Sequence, residues 1–180
     1  MNIAALVGMP GSGKSEVARV FQKHGYAGIR FGDITDEEVK KRGLKLVEGN
    51  ERIVREDLRK KHGMAAYAIL NLPRIEAAME KTNVVIDGLY SWEEFKYLKD
   101  RLGGRLHIVA VWAPPEIRYK RLQTRSLRPL SAGQARERDY AEVENVNKGG
   151  PIAMADYMIS NCSTLESLVD QTYNLIKVLK

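Results

Sequence analysis

The 180-residue sequence predicts an α/β fold of three layers, a five-stranded parallel sheet with helices on both faces. Short apolar runs recur along the chain, each followed by a segment of helical periodicity, which is the alternation of βαβ units. The first run, residues 3–7, passes directly into Gly8-Met9-Pro10-Gly11-Ser12-Gly13-Lys14-Ser15. That stretch has the G-x-x-x-x-G-K-[ST] spacing of a phosphate-binding P-loop, set between a strand and a helix as the motif requires. The composition, 44% hydrophobic and 29% charged, suits one globular domain with a sizeable core.

Each element has its own signal. Residues 15–23 place Val17, Ala18, Val20 and Phe21 on one side of a helix. Residues 27–31 form the second strand, ending at Gly32-Asp33. Thr35-Asp36-Glu37-Glu38 has capping-box form, with Thr35 as N-cap, and Gly43 closes that short helix. Residues 50–61 are helical, with Ile53, Val54 and Leu58 as a narrow apolar side, until Gly63 breaks them. Residues 64–81 are helical again, with a kink or split expected at Pro73. Residues 83–87 (NVVID) make the third strand and Gly88 turns the chain. A helix over 91–102 carries Trp92, Phe95, Leu98 and Leu102 at core spacing, and Gly103-Gly104 leads into a fourth strand over 106–113. Pro114-Pro115 opens the next helix and Pro129 ends it. Residues 131–145 are helical, 149–151 a loop and 156–160 the fifth strand. Ser163-Thr164-Leu165-Glu166 has capping-box form before a helix that buries Leu165, Leu168, Val169, Leu175, Ile176 and Leu179.

The P-loop defines the chemistry. Its glycines let backbone N–H groups approach phosphate oxygens, and the helix N-terminus adds a favourable partial charge. Gly8, Met9, Pro10, Gly11, Ser12, Gly13, Lys14 and Ser15 are therefore expected to bind ATP, with Lys14 on the β- and γ-phosphates and the Ser15 hydroxyl on Mg²⁺. Ligands of such sheets sit beyond the carboxyl ends of the strands, where Asp33 and Asp87 also fall. Asp87, after an apolar run, has the placement of a carboxylate that orients Mg²⁺ beside Ser15. Asn161, at the end of the fifth strand, is placed to frame an adenine ring. Arg118, Arg121, Arg125 and Arg128 recur at helical spacing, with Arg136 and Arg138 shortly after. Guanidinium forks match the charge of a transferring phosphoryl group, and Arg121 and Arg125 are the two expected to act.

Charge and cysteine usage bound the partners. The net charge of +6 is uneven, and residues 117–148 carry eight basic and four acidic side chains. Beside a P-loop such an excess answers a nucleoside triphosphate, and no aromatic-interleaved basic stripe points to nucleic acid. No membrane-length apolar stretch and no signal peptide is evident. A lone Cys162, read as a small buried residue near a strand end, fits a reducing, cytoplasmic compartment.

The P-loop GMPGSGKS, Gly32-Asp33, the segment at 84–88 (VVIDG), the helix bearing Arg121 and Arg125, and the segment at 155–161 (ADYMISN) together resemble P-loop nucleotide kinases. The resemblance is nearest to archaeal adenylate-kinase-related proteins and covers essentially the whole chain. The ending ADYMISNCSTLESL is also similar to dephospho-CoA kinase. The resemblance implies an acceptor-binding insert over about residues 35–73 and an arginine-bearing lid over about 124–146. Two departures stand out. Adenylate kinases carry an arginine where this chain has Asp36, and another shortly after the DG pair, where Tyr90 and Ser91 stand. Both grip the acceptor phosphate, so AMP phosphorylation needs Arg30, Arg55 or Arg59 as a substitute. With Asp33 in place to take a proton, the combination favours a hydroxyl acceptor. The expected function is ATP-dependent phosphoryl transfer to a nucleotide or nucleotide-like small molecule. Dephospho-CoA kinase is an alternative, and so is a nucleotide-binding regulatory protein with weak ATPase activity.

Overall fold

Residues 3–7 are apolar throughout and buried on both faces, which places them at the centre of the sheet. In the computed structural model, which describes residues 1–126 and 129–179, β1 (Ile3–Val7) pairs in parallel with β3 (Val84–Asp87) and with β4 (Leu106–Trp112). β2 (Ala27–Arg30) lies beyond β3, and β5 (Tyr157–Ser160) beyond β4. The order β2-β3-β1-β4-β5 is the expected five-stranded parallel sheet. The two outer strands alternate in exposure, as edges do, whereas the inner ones are nearly continuous in apolar character.

Helices cover both faces. α1 (Lys14–Lys23) and α9 (Leu165–Val178) close over Ala4, Leu6, Val85, Val109 and Val111, using Phe21, Leu168 and Ile176. On the other face Ile3, Ala5, Ile86 and Ile108 meet α4 (Ala66–Met79) and α5 (Trp92–Leu102), with α2 (Asp33–Lys41) and α3 (Glu48–His62) further out. α6 (Pro115–Thr124) follows β4 and packs on α7 (Ala132–Glu144), and the short α8 (Gly149–Ala153) rests on α5. Among the described residues no helix is long and apolar enough to cross a membrane.

Several local expectations change. α2 begins at Asp33 with Gly32 as N-cap, so Thr35 is not a cap. It is buried inside the helix, and its hydroxyl shares a hydrogen bond with that of Tyr67 at 2.5 Å. Val54 and Leu58 face inward from α3 as expected, but Ile53 is exposed and Glu51 is buried instead. Pro73 lies within α4 without ending it, because Ala66, Tyr67, Ala68, Ile75 and Met79 are all buried and hold the helix on either side. α6 stops at Thr124, ahead of Pro129, where Arg125 takes an extended conformation. Residues 149–151 open α8 and are not a loop. Thr164 caps α9, accepting from Ser167 N, while Leu165 and Val169 stay exposed and Thr172 is buried in their place. Cys162 is exposed. Capping boxes form at Ser91–Glu94 and at Ser131–Gln134.

Candidate active site

β1 ends at Val7, and the chain turns through Gly8, Gly11 and Gly13, all at positive φ. All three positions are closed to a side chain, Gly8 by the carbonyl oxygen of Val111 at 2.3 Å. At Gly11 a Cβ would stand 2.7 Å from the carbonyl oxygen of Arg118, and at Gly13, 2.2 Å from Asn161 Nδ2. Gly13 is also the N-cap of α1, and no side chain caps that helix. Its first-turn amides are left for an anion, which the helix dipole favours. Ser12 Oγ is buried without a hydrogen-bond partner, a further polar group available to a phosphate. These features fit a bound triphosphate.

Lys14 Nζ donates to the carbonyls of Gly8 at 2.9 Å and Met9 at 3.2 Å. Burial pushes its pKa down to about 7, with Lys148 adding to the effect and Glu142 and Asp87 opposing it. Its charge is under-compensated, and negative phosphate oxygens would restore it. Ser15 Oγ donates to Asp87 Oδ2 at 2.8 Å. These are the two oxygens that the sequence puts forward for Mg²⁺. Among the described residues no group of three or more His, Cys, Asp or Glu converges. Mg²⁺ needs no such group when phosphates and water complete its shell.

Asp33 lies just past β2, and β3 separates that strand from β1. Two strand spacings, roughly 10 Å, therefore stand between Asp33's strand and the P-loop strand. Asp33 Oδ1 accepts from Arg30 Nη1 at 2.7 Å, and Asp36 Oδ2 accepts from the same nitrogen at 2.9 Å. The sequence-based stripe of arginines does not form. Arg118 is 4% exposed and bound on every side: Nε to Ala113 O, Nη1 to Pro10 O, and a two-pronged pair with Asp139 at 2.9 and 2.7 Å. It fastens the P-loop to α7. Arg121 Nη2 donates to the backbone carbonyl of Asn161 at 3.0 Å and to its Oδ1 at 3.1 Å, while its Nη1 is buried without a partner. Arg125 lies beyond the end of α6, and Arg128 lies outside the described residues.

Asn161, expected to frame an adenine ring, is engaged with the P-loop itself. It is 6% exposed, and its Nδ2 donates to Ser12 O at 2.8 Å. With Arg121 on its other end, Asn161 braces the P-loop.

Of the other residues at the site, Lys148, Glu142 and Tyr90 carry no recognisable pattern in the sequence. Lys148 is 1% exposed and donates to Glu142, with its ammonium 5.0 Å from the centroid of the Tyr90 ring. Burial tends to raise the Glu142 pKa, but the charge and hydrogen bond of Lys148 hold it below the ordinary value. Tyr90 folds back so that a Cβ on Gly88 would meet its hydroxyl at 2.6 Å, beside Asp87. Burial first, then Asp87 and Glu142, push the Tyr90 hydroxyl above its usual pKa. Glu94 had a legible signal, the S-x-x-E form at 91–94. Its Oε2 accepts from Tyr90 N at 2.8 Å and Ser91 N at 3.2 Å. Its Oε1, Asn71 Oδ1 and Arg59 Nε are buried without partners. Arg59 lies 5.7 Å over the Tyr67 ring, which meets Tyr90 edge to face at 6.3 Å.

The fold and this loop define a P-loop nucleotide-binding protein. Residues 5–145 match the family model described as an AAA domain. A UPF0200 protein of Thermococcus onnurineus is 37% identical over 179 residues, covering 97% of this chain and 96% of the relative. The chain belongs to the AAA-domain family and to the UPF0200 proteins. The same fold recurs in a shikimate kinase from Bacteroides thetaiotaomicron (TM-score 0.63, 16% identity, 98% of each chain). It recurs too in a gluconokinase from Sinorhizobium meliloti (TM-score 0.58, 16% identity, 99% of this chain and 95% of that one).

Two stability measurements check the site's framework. Arg118→Met leaves the buried Asp139 carboxylate without its cation and with the Tyr119 hydroxyl as its remaining donor, and chemical denaturation should record a loss of about 3–5 kcal/mol. Adding Asp139→Leu to that variant should recover part of the loss; a single variant of near wild-type stability would contradict the clamp. Glu94 supplies the second. Burial raises its pKa from 4.5 to about 7, more than the N–H groups of Tyr90 and Ser91 lower it. The folded state thus holds the proton more tightly than the unfolded chain. This contribution to stability is complete below pH 4.5 and is lost as pH rises through about 7. Glu94→Gln keeps an acceptor for both N–H groups but does not titrate. Between pH 5 and 8 the wild-type Tm should fall relative to the variant by roughly 3–8 °C. Parallel Tm profiles would contradict the raised pKa.

Proposed function

We propose that this chain is an ATP- and Mg²⁺-dependent phosphotransferase acting on a small polar acceptor. The observation that carries the reading is the 2.8 Å contact of Ser15 Oγ with Asp87 Oδ2, beside a P-loop whose helix has no side-chain cap. Ser15 and Asp87 would hold Mg²⁺, and the metal supplies charge compensation for the phosphate oxygens. The loop amides and Lys14 bind and orient the triphosphate. Arg118, Arg121 and Asn161 keep the loop in shape from behind it. The segment over about 35–73 is the acceptor-binding insert in this reading, and the segment over about 124–146 is the lid.

The acceptor side is supported by the buried, partnerless Asn71 Oδ1, Glu94 Oε1 and Arg59 Nε around the Tyr67–Tyr90 pair. These atoms favour a molecule with its own hydrogen-bonding groups. Of the three arginines available to replace the missing phosphate grip, Arg30 is answered by Asp33 and Asp36 and Arg55 by Glu48 at 2.5 Å, while Arg59 lies over the Tyr67 ring with its Nε partnerless. Two of the three guanidiniums are thus neutralised and are poor anchors for a second anion, which, with Asp33 past the end of β2, supports a hydroxyl acceptor; Arg59 is the one of the three left to grip a phosphate. In that reaction the acceptor oxygen bonds to the γ-phosphorus and the bridging bond to ADP breaks. The hydroxyl proton passes to the carboxylate of Asp33.

ATP consumption measured against nucleosides, nucleoside monophosphates, dephospho-CoA and small polyols tests this reading. A hydroxyl-bearing acceptor should raise turnover well above the rate without acceptor. Asp33→Asn should lower that turnover by about 10²-fold with ATP affinity nearly unchanged. Slow hydrolysis indifferent to every acceptor would favour a nucleotide-binding regulator instead. Phosphorylation of a nucleoside monophosphate on its phosphate would contradict the hydroxyl assignment.

A further inference from the structure

A lysine buried to 1% exposure needs charge around it, and the surroundings of Lys148 are unusual. Its ammonium bonds Glu142 and faces the Tyr90 ring, and Tyr90 covers Gly88, the residue after Asp87. Lys148 thus stands on the Tyr90 and Glu94 side of Asp87, whereas Lys14 is held within the P-loop by the carbonyls of Gly8 and Met9. Three ties fix that position. Lys148 N donates to Glu142 O at 3.1 Å, Trp92 N donates to Val146 O at 3.3 Å, and a Cβ on Gly150 would meet the Trp92 ring at 2.7 Å. Lys14, Lys148 and Arg138 stand against Glu142 and Asp87, while Glu94, within reach of Lys148, is held toward its neutral form by burial, which leaves an excess of positive charge. An anion placed between the two ammoniums would relieve it. Of the arginines of α6, Arg118 is committed to Asp139 and the P-loop, and Arg121 gives its Nη2 to Asn161 and keeps a buried Nη1.

We propose that Lys148 grips the terminal phosphoryl group of the bound triphosphate from the acceptor side, opposite Lys14, with Glu142 as its partner when no nucleotide is bound. This rests on the phosphotransferase reading and names a residue which that reading lacks.

Dissociation constants of Mg·ATP and Mg·ADP, measured by calorimetry without any acceptor, separate the two claims. Loss of a charge-assisted hydrogen bond to the γ-phosphate in Lys148→Met should weaken ATP by about tenfold or more and ADP by less than about threefold. Lys148→Arg, which keeps the charge, should retain most of the preference for ATP. Lys120→Met, at an exposed lysine paired with Glu116, should bind as the wild type does. Equal effects on ATP and ADP, or none, would overturn the role of Lys148 and leave the phosphotransferase reading standing. Failure of the wild type to bind either nucleotide would overturn both. Should Lys148→Met not fold, Glu142→Gln is compared with the Lys148→Gln, Glu142→Gln pair, which leaves no unpaired buried charge. A preference for ATP about tenfold lower in the pair supports the proposal, and an unchanged preference overturns it.

Discussion

In the β1–β3 ladder Leu6 stands opposite Asp87, and the site depends on that register. Successive residues of a strand point to opposite faces, so a slip of one position would turn Asp87 away from Ser15. The register is enforced by burial: Val84, Val85 and Ile86 are fully enclosed, as is every residue of β1. Apolar burial far from any chemistry therefore sets a 2.8 Å contact between two polar groups at the end of the sheet.

The P-loop is held by the same logic of enclosure, carried by charge. Arg118 reaches from α6 to the Pro10 carbonyl and to Asp139 on α7, 21 residues further along. Asn161, beyond the opposite edge strand, takes the Ser12 carbonyl and receives Arg121. The loop's carbonyls are thus bonded from behind by guanidinium and amide groups, and Lys14 occupies two more. Fixed dipoles that need little reorganisation are what a phosphate site requires. The remaining polar atoms gather on the other side, around Tyr67, Tyr90 and Glu94, where an acceptor would meet the nucleotide.

What the sequence made legible was local. The P-loop, the five strands and the Ser91–Leu102 helix follow from spacing, and Ser15 and Asp87 each end a recognisable pattern. The misses have a common cause in tertiary partners. Four arginines at helical spacing read as one face, but Arg118 is claimed by Asp139 and the helix ends before Arg125. Thr35 has the form of a cap, yet Tyr67 draws its hydroxyl inward. Ile53 and Leu165 fall at core spacing, while Glu51 and Thr172 take the buried positions. Lys148 follows no motif, and its burial depends on Glu142 and on Tyr90, nearly sixty residues earlier in the chain.

The central claim is that Ser15 and Asp87 form a metal corner coupled to a phosphate-binding loop. Thermal unfolding of the wild type and of Asp87→Asn with saturating ATP, in Mg²⁺ or in EDTA, tests it most directly. ATP alone should raise the Tm of both proteins, because the loop is intact in each. Mg²⁺ should add a further rise in the wild type and none in Asp87→Asn. Equal increments from Mg²⁺ in the two proteins, or no rise with ATP in either, would contradict the account.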